Sequence, residues 1–301
     1  MSAASTASGR RSAVRLMLSA SVLFALMALF VRMASARGAH WSVVAFARSF
    51  FGLVVAVSAA LSQGRSLRVH GQLKAWGRSL CGTTSLFCTF SVYAAPQISL
   101  GDAASIGATG PIFVALLAPF VLHERTGRRT WAAMSLAFAG VVILARPHFD
   151  LSPHLVLVAL LGAFSSACAM MFLRTLGPSE TPEAVAAHFS LIATLASLAV
   201  AIPHLNWPGT TGALLLAGSG ITAGLGQLLM TRAYGYDGAA RLGALGYTGT
   251  ALTQILAILF LAETPGPLQI LGTTLVIGAG LILAVSSYTP NLRSSSSSTP
   301  G

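Results

Sequence analysis

The sequence predicts an all-α membrane protein with ten transmembrane helices, arranged as two inverted five-helix repeats. Three observations lead to this fold class: the composition, the spacing of the apolar runs, and a segment that occurs twice. The chain is 54% hydrophobic and only 8% charged, whereas soluble domains carry about 25% charged residues. Because so few charges cannot cover a surface that faces water, lipid must be the solvent for most of the chain.

The repeated segment is the strongest of the three observations. Residues 107–145 align with 246–284 after a shift of 139 positions, with twelve identical residues and no gap. Both copies contain a Gly-x-Thr-Gly motif in an apolar run, then a turn with one glutamate, Glu124 or Glu263, and then a second apolar run. The shared motif and the shared polar turn favour duplication over a chance match between apolar sequences.

Ten apolar runs are long enough to cross a bilayer, whose core of about 30 Å requires about 20 residues of helix. Short connections containing Pro and Gly separate the runs, and none leaves room for a soluble domain. The predicted spans are 14–33, 41–62, 75–95, 99–122, 130–146, 154–175, 183–203, 210–231, 239–261 and 267–286. The repeats would be residues 14–146 and 154–286, with disordered tails at 1–13 and 287–301.

The distribution of lysine and arginine predicts that both termini are cytoplasmic. With the N-terminus inside, only Arg32, Arg37, Arg48 and Arg146 of the 18 basic residues fall outside. Five helices separate the two copies of the repeated segment, and five is an odd number, so the second copy is inverted. Inverted repeats are typical of secondary transporters. The first run also resembles a cleaved signal peptide, but its removal would leave nine helices and an unpaired half.

The net charge of +11 does not indicate a nucleic-acid partner, because the basic residues lie in short tracts between apolar spans. The three cysteines, Cys81, Cys88 and Cys168, all lie inside apolar spans. Their odd number and their positions argue against a disulfide framework and against a zinc site. We therefore expect no metal and no other cofactor.

Several short motifs follow one another in a characteristic order. They are Phe-Ala-Arg-Ser at 46–49, Gly-Ala-Thr-Gly-Pro at 107–111, His-Glu-Arg at 123–125, Arg-Ala-Tyr at 232–234, Leu-Gly-Tyr-Thr at 245–248 and Ala-Glu at 262–263. In this order and spacing, across about residues 14–286, the chain resembles the drug/metabolite transporter superfamily and, within it, the EamA-type permeases. The resemblance implies a solute carrier of the cytoplasmic (inner) membrane with a central cavity, often an exporter of amino acids or other small metabolites. Some similar members take up S-adenosylmethionine or riboflavin.

Arg48 is the first candidate for contact with a solute. It lies about seven residues into the second span, about 10 Å below the membrane surface at 1.5 Å per residue. A charge at that depth is costly unless it faces a wet cavity or a partner. Arg48 could bind a carboxylate or phosphate of the solute, or it could snorkel outward to the interface; the sequence leaves both open.

The two Gly-x-Thr-Gly motifs provide the next candidates, Thr109 and Thr248, together with Pro111. Pro111 removes a backbone hydrogen bond and is expected to bend the fourth span. Carbonyl groups freed near the membrane centre could bind solute or allow flexing, although close packing of helices through small residues explains the glycines as well.

The remaining candidates are polar or aromatic residues on the spans expected to form the cavity. Those proposed to line it are Ser91, Tyr93, Gln227, Tyr234, Tyr247 and Gln254. His188 is a candidate for proton coupling, because the seven acidic residues all lie in or near the connections.

These features predict a secondary transporter that moves a small polar or amphipathic metabolite by alternating access, with no catalytic residues. The expected partners are a small-molecule substrate and the lipid bilayer, and the chain would act as a monomer or homodimer. Two alternatives remain at this stage: an intramembrane enzyme acting on a lipid-linked substrate, and a membrane subunit that does not transport.

Overall fold

A computed structural model describes residues 3–121, 127–145, 153–176, 179–264 and 266–286, and all the regular structure in these residues is helical. The first half contains α1 (Ala3–Ser35), α2 (Trp41–Ser62), α3 (Gln72–Ala94), α4 (Leu100–Gly107), α5 (Gly110–Val121) and α6 (Arg128–Ala145). The second half contains α7 (Pro153–Leu176), α8 (Pro182–Ala201), a 3-10 turn (Ile202–His204), α9 (Gly209–Tyr236), α10 (Ala239–Leu245), α11 (Tyr247–Leu261) and α12 (Pro267–Ser286).

The first helix begins earlier than the sequence predicts. α1 starts at Ala3, so residues 3–13 are helical rather than part of a disordered tail. The alanines of this segment have the highest helix propensity, which lets the helix continue beyond the apolar run. The second predicted tail, 287–301, and the turn that contains Glu124 lie outside the described residues.

Two predicted spans, 99–122 and 239–261, are each divided into two helices, α4 with α5 and α10 with α11. Both breaks fall at the Gly-x-Thr-Gly motif. Pro111 lies in the first turn of α5, where its missing N–H is tolerated. Thr250 takes the equivalent place in the second copy, which also breaks. The fourth span is thus interrupted next to Pro111, and the shared motif accompanies the interruption in both copies. A bend caused by Pro111 itself stays a prediction.

Six helical segments in the described part of the chain are long and apolar enough to cross a membrane. They are Gly9–Ser35, Trp41–Ser62, His154–Leu176, Pro182–His204, Gly209–Tyr236 and Arg241–Leu261. Large apolar side chains on several of them, such as Leu157, Leu195 and Leu259, are exposed. An apolar outer surface of this kind is stable in lipid and unstable in water.

The second helices of the two halves, α2 and α8, run in opposite directions along their contact. Just before α2, the ring of His40 stacks on His204, which follows α8, with the ring centroids 3.7 Å apart. Just after α2, Nη1 of Arg65 lies 3.0 Å from Oε2 of Glu183 in the first turn of α8. The start of one helix thus meets the end of the other at both ends, so the pair is antiparallel.

The other contacts between the halves occur in matched pairs. α1 packs on α9 as α3 packs on α7, and α1 packs on α11 as α5 packs on α7. Gly162 of α7 faces Cys88 of α3, and Gly226 of α9 faces Leu23 of α1. The 139-residue shift aligns position 23 with 162 and position 88 with 227. The contact between residues 88 and 162 therefore recurs, with the halves exchanged, between residues 23 and 226, one residue away from the aligned position.

Candidate functional site

A cavity of about 330 Å³ lies between the two halves. Its walls come from the first, third and fourth segments of each half, which are α1, α3 and α4–α5, then α7, α9 and α10–α11. α2 and α8 contribute one side chain each, Arg48 and Phe189. The volume is within the range of small-molecule pockets, about 300–1,000 Å³.

Both helix breaks lie at the cavity wall. Gly107 and Pro111 line the cavity at the first break, and Gly246 and Tyr247 line it at the second. The two broken segments approach each other at Gly243, where an added Cβ would lie 3.5 Å from Cβ of Pro111. Irregular backbone at membrane depth is tolerated where it is buried in protein or lines a cavity, as it does here.

The threonine of each motif closes the helix that precedes the break. Oγ1 of Thr109 donates a 2.9 Å hydrogen bond to the carbonyl of Ile106, and Oγ1 of Thr248 donates a 2.7 Å bond to the carbonyl of Leu245. The 139-residue shift maps one bond onto the other. Because a helix end leaves carbonyl groups without partners, these threonines stabilise the breaks. Neither is among the described residues that line the cavity.

Arg48 lies in the N-terminal half of α2 and is 6% exposed. Its Cζ lies 5.2 Å from the ring centroid of Phe189, and its Nε has no hydrogen-bond partner among the described residues. The side chain lines the cavity. This geometry favours the solute-facing alternative over snorkelling, and direct contact with a solute stays a prediction.

Arg78 is a cavity residue that the sequence analysis missed. It is 2% exposed, lines the cavity, and places its Cζ 4.3 Å from the same Phe189 ring centroid. In the sequence Arg78 follows Arg65, Arg68 and Lys74. The pattern therefore assigns it to the basic connection between the second and third spans. The available signal was its place inside the predicted third span, 75–95; since α3 begins at Gln72, Arg78 lies more than one helical turn inside the helix.

Five of the other predicted residues also face the cavity or its breaks. Those that line it are Tyr93, Pro111, Gln227, Tyr234 and Tyr247. The Tyr247 hydroxyl is buried and has no hydrogen-bond partner among the described residues. Nε2 of Gln227 donates to Oγ1 of Thr231 at 3.2 Å, which satisfies part of its amide within α9. The role of each residue in solute binding stays a prediction.

Besides Thr109 and Thr248, three predicted residues are not among the described lining residues. The Ser91 hydroxyl donates to the carbonyl of Cys88 at 2.9 Å, and the Gln254 side chain packs against Gly101 of α4. Nδ1 of His188 lies 2.8 Å from the hydroxyl of Ser79. The Ser91 bond lies within α3, whereas the Gln254 and His188 contacts join neighbouring helices. A proton-coupling role for His188 stays a prediction. Within the described residues, no group of three His, Cys, Asp or Glu side chains is placed to hold a metal ion.

The helices and the cavity between two matched halves define a multi-pass membrane protein able to hold a small solute. The model of the EamA-like transporter family matches residues 11–146 and 154–285, once in each half. The chain belongs to the EamA-like transporter family, so it is a transporter and not an enzyme. The resemblance inferred from the motifs is confirmed.

Known transporters are similar to this chain over much of its length. The pseudopaline exporter CntI of Pseudomonas aeruginosa is 31% identical over 283 residues, which cover 91% of this chain and 96% of the exporter. The riboflavin transporter of Rhizobium johnstonii is 27% identical over 188 residues, covering 62% of each chain. The S-adenosylmethionine uptake transporter of Rickettsia prowazekii is 24% identical over 252 residues, covering 82% and 84%.

A solved crystal structure shares the fold. It superposes with a TM-score of 0.76 at 21% sequence identity and covers 92% of this chain and 98% of the other. At this identity the similarity establishes the helical architecture alone.

Proposed function

We propose that this chain is a secondary transporter that carries a small polar or amphipathic metabolite, such as an amino acid or related organic solute, across the cytoplasmic membrane by alternating access. The observation that carries the proposal is the position of the cavity between two halves with matched contacts. Two halves that can exchange conformations open a central site first to one side of the membrane and then to the other.

The two halves, residues 14–146 and 154–286, are proposed to cross the membrane in opposite senses. In this arrangement α4–α5 and α10–α11 each form one crossing, which gives ten crossings and cytoplasmic termini. The antiparallel packing of α2 on α8 supports the inversion, because corresponding helices of parallel repeats would run in the same direction. The excess of Lys and Arg on one side supports the orientation.

The broken helices give the proposal a second line of support. Transporters of several folds build their solute sites from interrupted helices near the membrane centre. Here one broken segment from each half meets the other across the cavity, and α5 packs against α10 as α4 packs against α11. Movement at the breaks would change the width of the cavity without unfolding the helices on either side.

The relatives transport different solutes in different directions. One is named as an exporter and another as an uptake transporter, so family membership does not select the solute or the direction. The solute of this chain must therefore be set by its own cavity residues, among which we propose Arg48, Tyr93, Gln227, Tyr234 and Tyr247 as contacts. A single chain encloses the cavity, which supports a monomer, or a homodimer in which each chain has its own cavity.

Counterflow in proteoliposomes tests the transport activity. The purified chain is reconstituted, and vesicles are loaded with one member of a panel of amino acids, organic acids and nucleoside-type metabolites. Uptake of the labelled solute should be faster when the same solute is inside, and it should saturate. Absence of counterflow across the whole panel by a folded protein would contradict the proposal.

Labelling from both sides tests alternating access. In a background that replaces Cys81, Cys88 and Cys168 by alanine, Thr250→Cys places one thiol on the cavity wall. A membrane-impermeant maleimide should react with it from either side of sealed vesicles, and a transported solute should slow both reactions. Ala193→Cys, at a buried position that is not among the lining residues, should not react. Reaction of Thr250→Cys from one side alone would exclude exchange between two open states.

A further inference from the structure

Two arginines of the first half converge on one aromatic ring of the second half. The Cζ atoms of Arg48 in α2 and Arg78 in α3 lie 5.2 Å and 4.3 Å from the ring centroid of Phe189 in α8. The two guanidinium groups therefore cannot be further apart than the sum of these distances. Both side chains line the cavity, and both are more than nine-tenths buried.

These guanidinium groups keep unused donors. Nε of Arg48, and Nε and Nη1 of Arg78, have no hydrogen-bond partner among the described residues. A buried donor without an acceptor costs free energy, and a buried charge without a partner costs more. The face of Phe189 offsets part of this cost through cation–π attraction, but an aromatic ring does not neutralise two positive charges.

The carboxylates whose side chains the structure describes have other partners. Glu183 pairs with Arg65 and Arg232, and Asp237 pairs with Arg241. The remaining two accept hydrogen bonds from backbone N–H groups, Glu180 from residues 70 and 71 and Glu263 from residue 100. None of these four carboxylates is among the described residues that line the cavity.

The surroundings of Arg78 leave room for a guanidinium. Gly82 lies one helical turn further along α3, and a Cβ there would clash with Nη1 of Arg78 and lie 2.8 Å from Cε2 of Phe189. The positions equivalent to the two arginines in the second half, after the 139-residue shift, are Ala187 and Ala217. The repeated fold therefore does not require arginine at these two positions, and only the first half places two positive charges there.

We propose, on the basis of the transport function above, that the cavity selects a small organic dianion whose negative groups bind Arg48 and Arg78 together. Guanidinium groups bind carboxylate and phosphate oxygens in paired, charge-assisted hydrogen bonds. A solute with one negative charge would leave one buried guanidinium without a counter-charge. The two arginines also repel each other, and two negative charges on the solute would offset this repulsion. The wall beside them contains Phe24, Leu86 and Phe90, which suit an apolar body on the solute.

Two kinds of solute share this chemistry: a dicarboxylate and a phosphate monoester. Benzylsuccinate and phenyl phosphate probe them, and each has an analogue of nearly the same shape with one negative charge, the monoamide of benzylsuccinate and methyl phenyl phosphate. Binding to the purified full-length chain in detergent is measured by titration calorimetry at low salt. At least one dianion should bind at least about tenfold more tightly than its singly charged analogue, since a hydrogen bond to a charged group is worth more than one tenfold step.

Variants assign that preference to the arginine pair. Arg48→Gln and Arg78→Gln should each weaken binding of the preferred dianion by at least about tenfold and leave binding of the singly charged analogue nearly unchanged. Arg37→Gln is the matched control, because Arg37 is exposed in the connection after α1 and donates to the carbonyl of Met33. It should bind the dianion as the wild type does.

The comparison of solutes on the wild-type chain tests the proposal even if a variant fails to fold. Equal affinity for the dianions and their singly charged analogues, or binding of neither dianion, would overturn it. Retention of the preference in a folded Arg78→Gln variant would also overturn it. Counterflow in the proteoliposomes described above distinguishes failure of this proposal from failure of the transport proposal. If neutral or cationic solutes exchange and no dianion is preferred, the transport proposal stands and the dianion proposal is wrong.

Discussion

The carboxylate of Glu263 accepts a 3.0 Å hydrogen bond from the backbone N–H of Leu100. Leu100 is the first residue of α4 in the first half, and Glu263 follows α11 in the second half. The first N–H groups of a helix have no partner within it, and a negative charge there also interacts favourably with the helix dipole. The glutamate of the second repeat copy therefore links its own half to the broken helix of the other.

Loss of this contact should weaken the association of the two halves. Glu263→Ala is expected to lower the free energy of unfolding by about 1 kcal/mol, as loss of a helix cap does. Glu263→Gln keeps an acceptor oxygen and should lose less. Thr264→Ala, at the exposed next position, is the control. The measurement is unfolding in mixed micelles, and an unchanged midpoint for Glu263→Ala would show that the bond contributes nothing.

The two glycines that begin the Gly-x-Thr-Gly motifs should respond differently to alanine. A Cβ on Gly246 would lie 2.8 Å from the carbonyl oxygen of Gly243, a backbone atom, whereas a Cβ on Gly107 would meet nothing within 4 Å. Gly246→Ala should therefore lower the free energy of unfolding by about 1–3 kcal/mol and slow counterflow. Gly107→Ala should remain close to wild type in both measurements. Equal effects would mean that the close approach at Gly246 does not maintain the break.

Packing of α9 on α2 depends on the absence of side chains at another glycine. A Cβ on Gly224 would lie 2.9 Å from Cα of Gly52, while a Cβ on Gly235, in the same helix, would meet nothing within 4 Å. Gly224→Ala should lower the thermal midpoint, corresponding to about 1–3 kcal/mol of overpacking. Gly235→Ala should raise stability by up to about 1 kcal/mol, because alanine has the higher helix propensity. A stabilising Gly224→Ala would contradict the close contact.

The sequence was sufficient to predict the helices and the duplication, because both depend on local patterns. Apolar runs of spanning length and a repeated polar turn are visible without coordinates. The two helix breaks coincide with a feature that is visible in the sequence, because the Gly-x-Thr-Gly motif occurs at both of them. What the sequence did not reveal is that the hydroxyls of Thr109 and Thr248 each bond to the end of their own preceding helix. A cavity role for these threonines stays a prediction.

The direction in which each side chain points within the helix bundle could not be predicted from local sequence patterns. Arg78 follows a run of basic residues and looks like part of a connection, yet the rotation of α3 turns it toward Phe189. Gln254 is polar and lies on a helix that borders the cavity, yet α11 turns it toward Gly101. The rotation of each helix depends on contacts with the other half of the chain, about 100 or more residues away, which a single sequence does not specify.

Glu180 provides a prediction for acid pH. It lies between α7 and α8, and its Oε1 accepts hydrogen bonds from the backbone N–H groups of His70 at 2.9 Å and Gly71 at 2.8 Å. Burial favours the neutral carboxyl, but these bonds and the nearby His70 ring outweigh it and lower the pKa of Glu180. The carboxylate thus anchors the connection before α3 to the connection before α8.

Because the folded pKa of Glu180 is below the unfolded value of about 4.3, its stabilisation is fully present above that value and is lost as the pH falls through the folded pKa. The thermal midpoint of the wild type should therefore fall more steeply below about pH 4 than that of Glu180→Gln, which cannot titrate. Carboxylates common to both proteins cancel in this comparison. Midpoints measured from pH 6 to pH 3 should converge at the acid end, and a constant difference over the whole range would show that the Glu180 charge does not hold the connection.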